Sequence, residues 1–491
     1  MKKNFLTAIA VMVTAFLVGT TIAQAADVTF GGQLRPRFEV NDQSDFNDNT
    51  DQNYFVASRI RLNANVNVNE STSAFIQMQS VRIWGDAIGT STTSTGAGNA
   101  SFTVSDGDAT VGLHQAYFTL KNFASLPVDL KVGRQEVVLD GHRLFGNTGW
   151  TTGAQTHDAV RATHKHGNHS LDYAYILASE SGTTKTEKDD VDAHLVHANF
   201  QGILGGNLSV TYAALIDGCG LGAGTGAACL NLDNDIHTIG FRQAGQLFGI
   251  DYRGEYYYQF GDAAADGAAS GIRGLAGIAP GTGVITRNTS AGKDIDRDAY
   301  MFGVRVGKTF QNVMMKPSLT IWYDYLSGTS DSDAAAGEYG TFNTLFDTGH
   351  KFYGYMDLFL PATGSASARL GLQDLAIKAK IQPMDKWTVK ADYHWFYTAE
   401  GAAGNPVVSA GDGSLGGSPG ANTAGAGFAS SGIDGSDLGQ ELDITVVHKY
   451  NANTKIVLGY SSFFQSSLFH DINNNGGDGA DWGYVMFDVT F

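Results

Sequence analysis

Four arginines stand at alternate positions in two short stretches, Arg35 with Arg37 and Arg59 with Arg61. A guanidinium presents its donors in a rigid fork that grips a carboxylate through two bonds at once. Alternate residues of an extended chain share a face, so each pair projects to one side. On neighbouring antiparallel strands the four groups share one wall, where like charges repel. A counter-charge can hold such a wall together, and Glu39 is the nearest acid. A function can also hold it together: a row of weak anion sites conducts without trapping. Other polar residues of strand-like parity are Arg161, Arg242, Arg253, Arg305, Lys378, Lys380 and Lys390, with Gln259 and His394. Their acidic counterparts are Asp251, Glu255, Asp324, Asp392, Glu441 and Asp443. The same residues also read as mutually neutralising ladders that stiffen a wall.

Other chemistry is thin. His142, His157, His164, His166 and His169 fall close together, but no HExxH accompanies them, so zinc hydrolysis has no support and hydrogen bonding is their expected role. His350 lies near Asp347 and His394 near Asp392, without the Ser-centred signature that nucleophilic catalysis needs, so no enzyme is expected. Asp471, Asn473, Asn475 and Gly476 match the first half of a calcium loop, but Trp482 stands where the closing Glu belongs. That stretch reads as an Asn/Gly turn, and neither metal nor cofactor is expected. Cys219 and Cys229 are the only cysteines and are not spaced as CxxC; in an exported chain they are expected to close a local disulfide.

The elements that must position these groups show in the composition. The chain has 491 residues with 62 Gly, 8 Pro, 16% charged and 11% aromatic residues, and a formal net charge of -17. Low Pro excludes a collagen-like chain, abundant aromatics argue against disorder, and the acidic balance argues against nucleic-acid binding. Residues 1–25 carry Lys2 and Lys3, an apolar stretch and the small-residue site Ala23-Gln24-Ala25, which together read as a secretory signal peptide. The mature chain is then 26–491. No later run of 18 apolar residues is present, so no membrane helix is expected.

The mature chain is instead dominated by alternation. In 28–40, Val28, Phe30, Leu34, Phe38 and Val40 oppose Thr29, Gln33, Arg35, Arg37 and Glu39. Eighteen such segments are expected, near 28–40, 54–68, 73–84, 111–120, 127–135, 158–164, 170–178, 193–200, 207–216, 236–242, 247–260, 298–309, 317–327, 369–382, 387–397, 438–449, 454–463 and 481–491. Many exceed the usual strand length, aromatics flank the apolar faces, and short connections alternate with long ones such as 85–110, 261–297, 328–368 and 398–437. The final segment alternates Val485, Phe487, Val489 and Phe491, a signal for the barrel-assembly machinery. These features predict an all-β fold: a transmembrane antiparallel up-and-down barrel of about 18 strands in the bacterial outer membrane, with short periplasmic turns and long extracellular loops. Such a barrel leaves a lumen too wide for strand side chains to fill. The loop 85–110 could fold inward to narrow it. Parity in 128–135 is ambiguous, which leaves the orientation of Arg134 open.

With these motifs placed, the chain resembles the alginate-export family of outer-membrane barrels. The resemblance rests on GRQEVVLDGHRLFGNTGW (133–150), HDAVR (157–161), EYYYQFG (255–261), YDYLSG (323–328), FNTLFDTGHKFYGYMDLF (342–359), ADYHWF (391–396) and LGQELDITV (438–446), in that order. It implies a monomeric eighteen-stranded barrel passing an anionic polysaccharide through an arginine-lined lumen, and it places Arg134 in that lumen. The strong net acidity is a departure, and the last periplasmic turn, 450–453, is too short to plug the bore. Substrate does not transfer with fold. The leading expectation is a channel for anionic or polar solutes, with an exported exopolysaccharide such as alginate among them. The alternatives are a diffusion porin without anion preference and a sheath around a periplasmic partner such as a cytochrome; the chain itself lacks a CxxCH haem motif.

Overall fold

A computed structural model describes residues 27–41, 52–85, 111–179, 190–217, 235–263, 295–330, 333, 338–360, 370–401, 435–467 and 479–491. The strands are β1 (Asp27–Asn41), β2 (Asn53–Asn67), β3 (Thr72–Ile83), β4 (Gly112–Leu120), β5 (Val128–Gln135), β6 (His157–His166), β7 (His169–Ser179), β8 (Val191–Ile203), β9 (Gly206–Asp217), β10 (Ile236–Leu247), β11 (Ile250–Ala263), β12 (Ile295–Thr309), β13 (Ser318–Leu326), β14 (Glu338–Tyr339), β15 (Leu372–Ile381), β16 (Trp387–Tyr397), β17 (Asp437–Lys449), β18 (Thr454–Gln465) and β19 (Gly479–Thr490). All but β14 pair antiparallel with their neighbours in chain order, and β1 pairs with both β2 and β19, so the sheet closes into an eighteen-stranded barrel. Closure leaves no open edge, as a spanning sheet in lipid requires. The two-residue β14 pairs parallel to β12 through Asp296 and Arg297.

Each of the eighteen expected segments is a strand. Several strand ends move by a few residues, and the alternation from 247 to 260 contains a turn. Phe248 and Gly249 have φ of 52° and 74° and join β10 to β11. Two successive positive φ values suit the twist of a hairpin. Phe248 is 98% exposed, so its apolar character belongs to the membrane boundary rather than to a strand face.

The outer wall is apolar, with Phe30, Leu34, Ile60, Leu62, Val210, Ile321 and Phe487 exposed to lipid. Toward the extracellular rim, cross-strand tyrosines carry the polar load. Tyr175 donates to Asp192 (2.6 Å), Tyr323 to Gln373 (2.7 Å) and Tyr460 to Asp481 (2.8 Å), and Tyr212 pairs with His237 at 2.9 Å. An amphipathic ring placed at the headgroup level satisfies its hydroxyl while its body stays in hydrocarbon.

The bore is not an open tube. Two segments that succeed outer strand ends, 136–156 after β5 and 338–360 after β13, turn inward and carry the apolar core of the molecule. Val137, Leu144 and Phe145 pack with Phe342, Phe352, Tyr353, Met356 and Phe359, against Trp322, Phe396 and Phe463 of the wall. The segments bond to each other: the Gly146 amide donates to Phe346 O (2.8 Å) and the Phe346 amide to Leu144 O (2.9 Å). Their approach needs Gly146, where an added Cβ would stand 2.1 Å from Thr348 Oγ1. Wall residues at the outer ends of strands are therefore buried (Glu39, Gln259, Glu441), whereas Asn65 and Asn67 at the periplasmic end of β2 are exposed. The expected inward loop, 85–110, lies outside the described residues apart from its first residue, as do the signal segment 1–25, Cys219 with Cys229, and 471–476.

Candidate functional site: a partly filled lumen

Register sets the arginine wall. β1 and β2 pair so that Arg35 faces Arg59 directly, with Gln33 opposite Arg61 and Arg37 opposite Ala57. Arg35, Arg37 and Arg59 are buried, not by strand neighbours but by residues 149–151 of the first inward segment. Arg37 also bonds Glu39 at 2.7 Å, and its guanidinium lies 4.1 Å over the Trp150 ring. Trp150 stacks in turn on His350 at 4.3 Å and 5°. His350 pairs with Asp357 at 2.9 Å rather than with its nearer sequence neighbour Asp347. Arg61 reaches Gln79 (2.7 Å), His114 (2.8 Å) and Glu136 (3.8 Å).

The opposite wall anchors the plug. Arg143, in the first inward segment, donates to Glu255 (2.9 Å) and Asp324 (2.6 Å) and to the Tyr353 hydroxyl (2.6 Å), and the side chains of Arg143 and both carboxylates are about 1% exposed or less. Burial opposes its charge, but Asp324, Tyr353 and Glu255 outweigh it, so the guanidinium is held ionised well above its ordinary range. Arg305 completes this cluster, 3.4 Å from Asp324 and stacked on Trp322. Gln259 clamps the second segment from both sides, donating to Asn343 O (2.7 Å) and accepting from the Asn343 amide (2.8 Å). Glu441 accepts from the Met356 amide at 2.9 Å. Gly354 (φ 80°) permits that contact, since a Cβ there would stand 2.5 Å from Glu441 Oε2.

Asp392 and His394 form a third group: Lys378 lies 3.1 Å from each, and His394 Nδ1 is 2.8 Å from Asp374. Asp443 accepts from Ser461. Arg161 pairs with Asp172 at 2.9 Å. Arg134 corrects the expectation of a lumen position. In β5 the odd positions face inward, Gln135 being fully buried. Arg134 therefore stands on the outer wall with Asp158, joined by a 2.7 Å ion pair whose side chains are 47% and 51% exposed. The apolar parity of Val128, Leu130 and Val132 carries this information, but Gly133 and Lys131 obscure it in so short a strand.

One basic cluster remains partly open. Arg253 stands where a Cβ on Gly141 would approach within 2.6 Å of its Nη1, and the Lys351 ammonium is 3.4 Å from Gly141 O. Arg242 Nε stands 3.7 Å from the same Cβ position, so three cations surround Gly141, and burial together with the charges of Arg253 and Arg242 lowers the Lys351 pKa from its ordinary value. His142 is likewise lowered, first by burial and then by Lys351. At the root of the first segment, burial alone would raise the Glu136 carboxyl. Hydrogen bonds from His114 and Asn147, and the charge of Arg61, hold it below the usual range instead. A carboxyl depressed on folding contributes stability that is present above its unfolded pKa of about 4.3 and lost as pH falls through the folded value. Single-channel conductance is therefore expected to change on acidification below about pH 4, and Glu136→Gln is expected to abolish that change.

Glu136, Arg143, Trp150 and Tyr353 were not anticipated as functional residues. The signal that could have found them is apolar density in supposed solvent loops: Leu139, Leu144 and Phe145 in one, Phe342, Phe346, Phe352 and Phe359 in the other.

The sequence pattern of the alginate export family matches residues 26–475. The chain belongs to the alginate export family. No curated protein matches it. Its barrel is similar to OccK8 (OprE) of Pseudomonas aeruginosa, with a TM-score of 0.52 at 12% identity over 95% of this chain and 98% of that one. It is also similar to OccAB1 of Acinetobacter baumannii (0.53, 13%, 95% and 96%) and to OccK2 (OpdF) of P. aeruginosa in complex with glucuronate (0.51, 10%, 96% and 99%). At these identities the likeness is one of fold. Family membership and the closed barrel make this protein an outer-membrane channel; both family and fold are those of transport proteins.

Proposed function

We propose that this alginate export family member is a channel for anionic solutes, with carboxylated sugars and their polymers as the substrate class. The observation that carries the reading is the crowding of cations beside fewer acids, Glu39 next to Arg37 and Glu255 3.9 Å from Arg242. Arg35 faces Arg59 across one strand pair, and Arg242, Arg253 and Lys351 converge around Gly141 beside the plug. Like charges held together at a cost are retained where passing anions relieve it. The glucuronate complex of OccK2 concerns a protein with the same fold, and it makes a uronate a reasonable probe. The barrel is proposed to enter the membrane as a monomer through the assembly machinery, led by the final strand and Phe491, whose carbonyl accepts from the Gly32 amide of β1 at 2.8 Å. The test is the reversal potential of single channels in a KCl gradient. A potential towards chloride is expected; one towards potassium would sink the reading.

A further inference from the structure

Arg35 Nη1 donates to Gly149 O at 2.6 Å, and its Nη2 donates to Trp150 O (2.9 Å) and Thr151 O (3.0 Å). Arg37 Nη1 donates to Trp150 O at 2.9 Å. Arg59 Nη1 donates to Gly149 O and Thr151 O, both at 3.2 Å. Three guanidinium groups, each under 10% exposed, thus converge on three consecutive backbone carbonyls. Among the described residues only Arg37 of the three has a carboxylate within ion-pair distance, namely Glu39. The other partner of Arg59 is the neutral Gln33 amide oxygen at 3.2 Å.

A carbonyl oxygen carries only a partial charge. A carboxylate offers a full one and two oxygens matched to the guanidinium fork, so it can take two parallel bonds where each carbonyl offers a single oxygen. The 149–151 carbonyls therefore fill a site whose donors suit a carboxylate better. We propose that the Arg35–Arg37–Arg59 cradle is a carboxylate site occupied by the chain's own Gly149, Trp150 and Thr151 carbonyls, and that a carboxylate-bearing solute displaces them and opens a path along the β1–β2 wall.

The local build supports release of this short stretch alone. Its other ties are the Arg37 guanidinium over the Trp150 ring, the Trp150 stack on His350, edge contacts to Trp482 and Tyr484, the Gln79 amide donating to Gly153 O at 2.7 Å just beyond it, and bonds within the segment such as Thr151 Oγ1 to Thr148 O. The Arg143 anchor and the Phe145–Phe346 contact hold the rest of the segment to the far wall and to its partner. Thr151 and Gly153 are exposed, so the stretch has room to lift.

The proposal rests on the anion-conducting reading but can fail separately. Single channels are recorded in planar bilayers while succinate replaces chloride at constant potassium. Native channels are expected to pass severalfold more current, or open severalfold more often, as succinate is added. Arg35→Gln with Arg59→Gln is expected to show the enlarged conductance in KCl alone and no further response. Succinate that only blocks the native channel, or a double variant that keeps the native conductance and response, overturns the displacement. Chloride selectivity with either of those results leaves the anion channel standing, whereas potassium selectivity removes the anion reading itself. If the double variant does not assemble, the succinate titration of the native channel still decides.

Discussion

Arg143→Met is expected to be the most damaging single substitution in the bore. Arg143 neutralises Glu255 and Asp324, and both carboxylates are about 1% exposed or less. Removing one partner of a buried ionic group strands the other charges, at a cost of about 3–5 kcal/mol. Arg305 remains 3.8 Å from Glu255 and 3.4 Å from Asp324, but it cannot reproduce the bonds that tie the inward segment to the wall. Two readouts should move together. The temperature at which the folded barrel loses its compact migration on a denaturing gel should fall, and single-channel conductance should rise severalfold as 136–156 detaches. Adding Glu255→Gln to Arg143→Met should restore part of the stability, because one of the two stranded charges is then gone, but it should not restore the native conductance. Unchanged conductance in the single variant would mean that the apolar contacts of Phe145 and Leu144 hold the plug without the ionic anchor.

The second large effect is on selectivity. Arg242 and Arg253 lie beside the exposed Lys351 around Gly141, and Arg242, 3.9 Å from Glu255, keeps a side-chain exposure of 16%. Charges inside a narrow aqueous passage with low-dielectric walls act on ions more strongly than they would in bulk water. Arg242→Glu with Arg253→Glu replaces two positive charges by two negative ones. A change of about 1.4 kcal/mol in the energy of a passing ion is about tenfold in relative occupancy. The chloride-to-potassium permeability ratio is therefore expected to drop by about tenfold or more, read as a reversal potential in a KCl gradient. Arg134→Glu serves as the control: this residue faces outward, and the change should leave the ratio unaltered. A double variant with native selectivity would show that solutes take another path, and the arginine wall of β1 and β2 would then carry the selectivity.

The local physics of the chain determined the barrel. A period of two needs no partner to be read, and lipid on one side with water or protein on the other imposes it on every strand. All eighteen strands, the antiparallel order and the inward parity of Arg35, Arg37, Arg59, Arg61, Glu255 and Gln259 come from that period. It failed where the period was short or continued by chance, as at Arg134 in the eight residues of β5 and at Phe248 in the β10–β11 turn. The inside of the barrel was decided by tertiary structure. Segments 136–156 and 338–360 have no repeat to announce them, and their apolar residues become a core only because the closed sheet surrounds them. Charge is likewise undetermined by type alone. Arg35 and Arg59 are occupied because carbonyls about 90 or more residues away in sequence arrive against them, and Arg143 finds Asp324 across 181 positions. Whether a lumen arginine meets solute or the chain's own backbone depends on where the inward segments land, and residues adjacent in sequence carry no record of that distance.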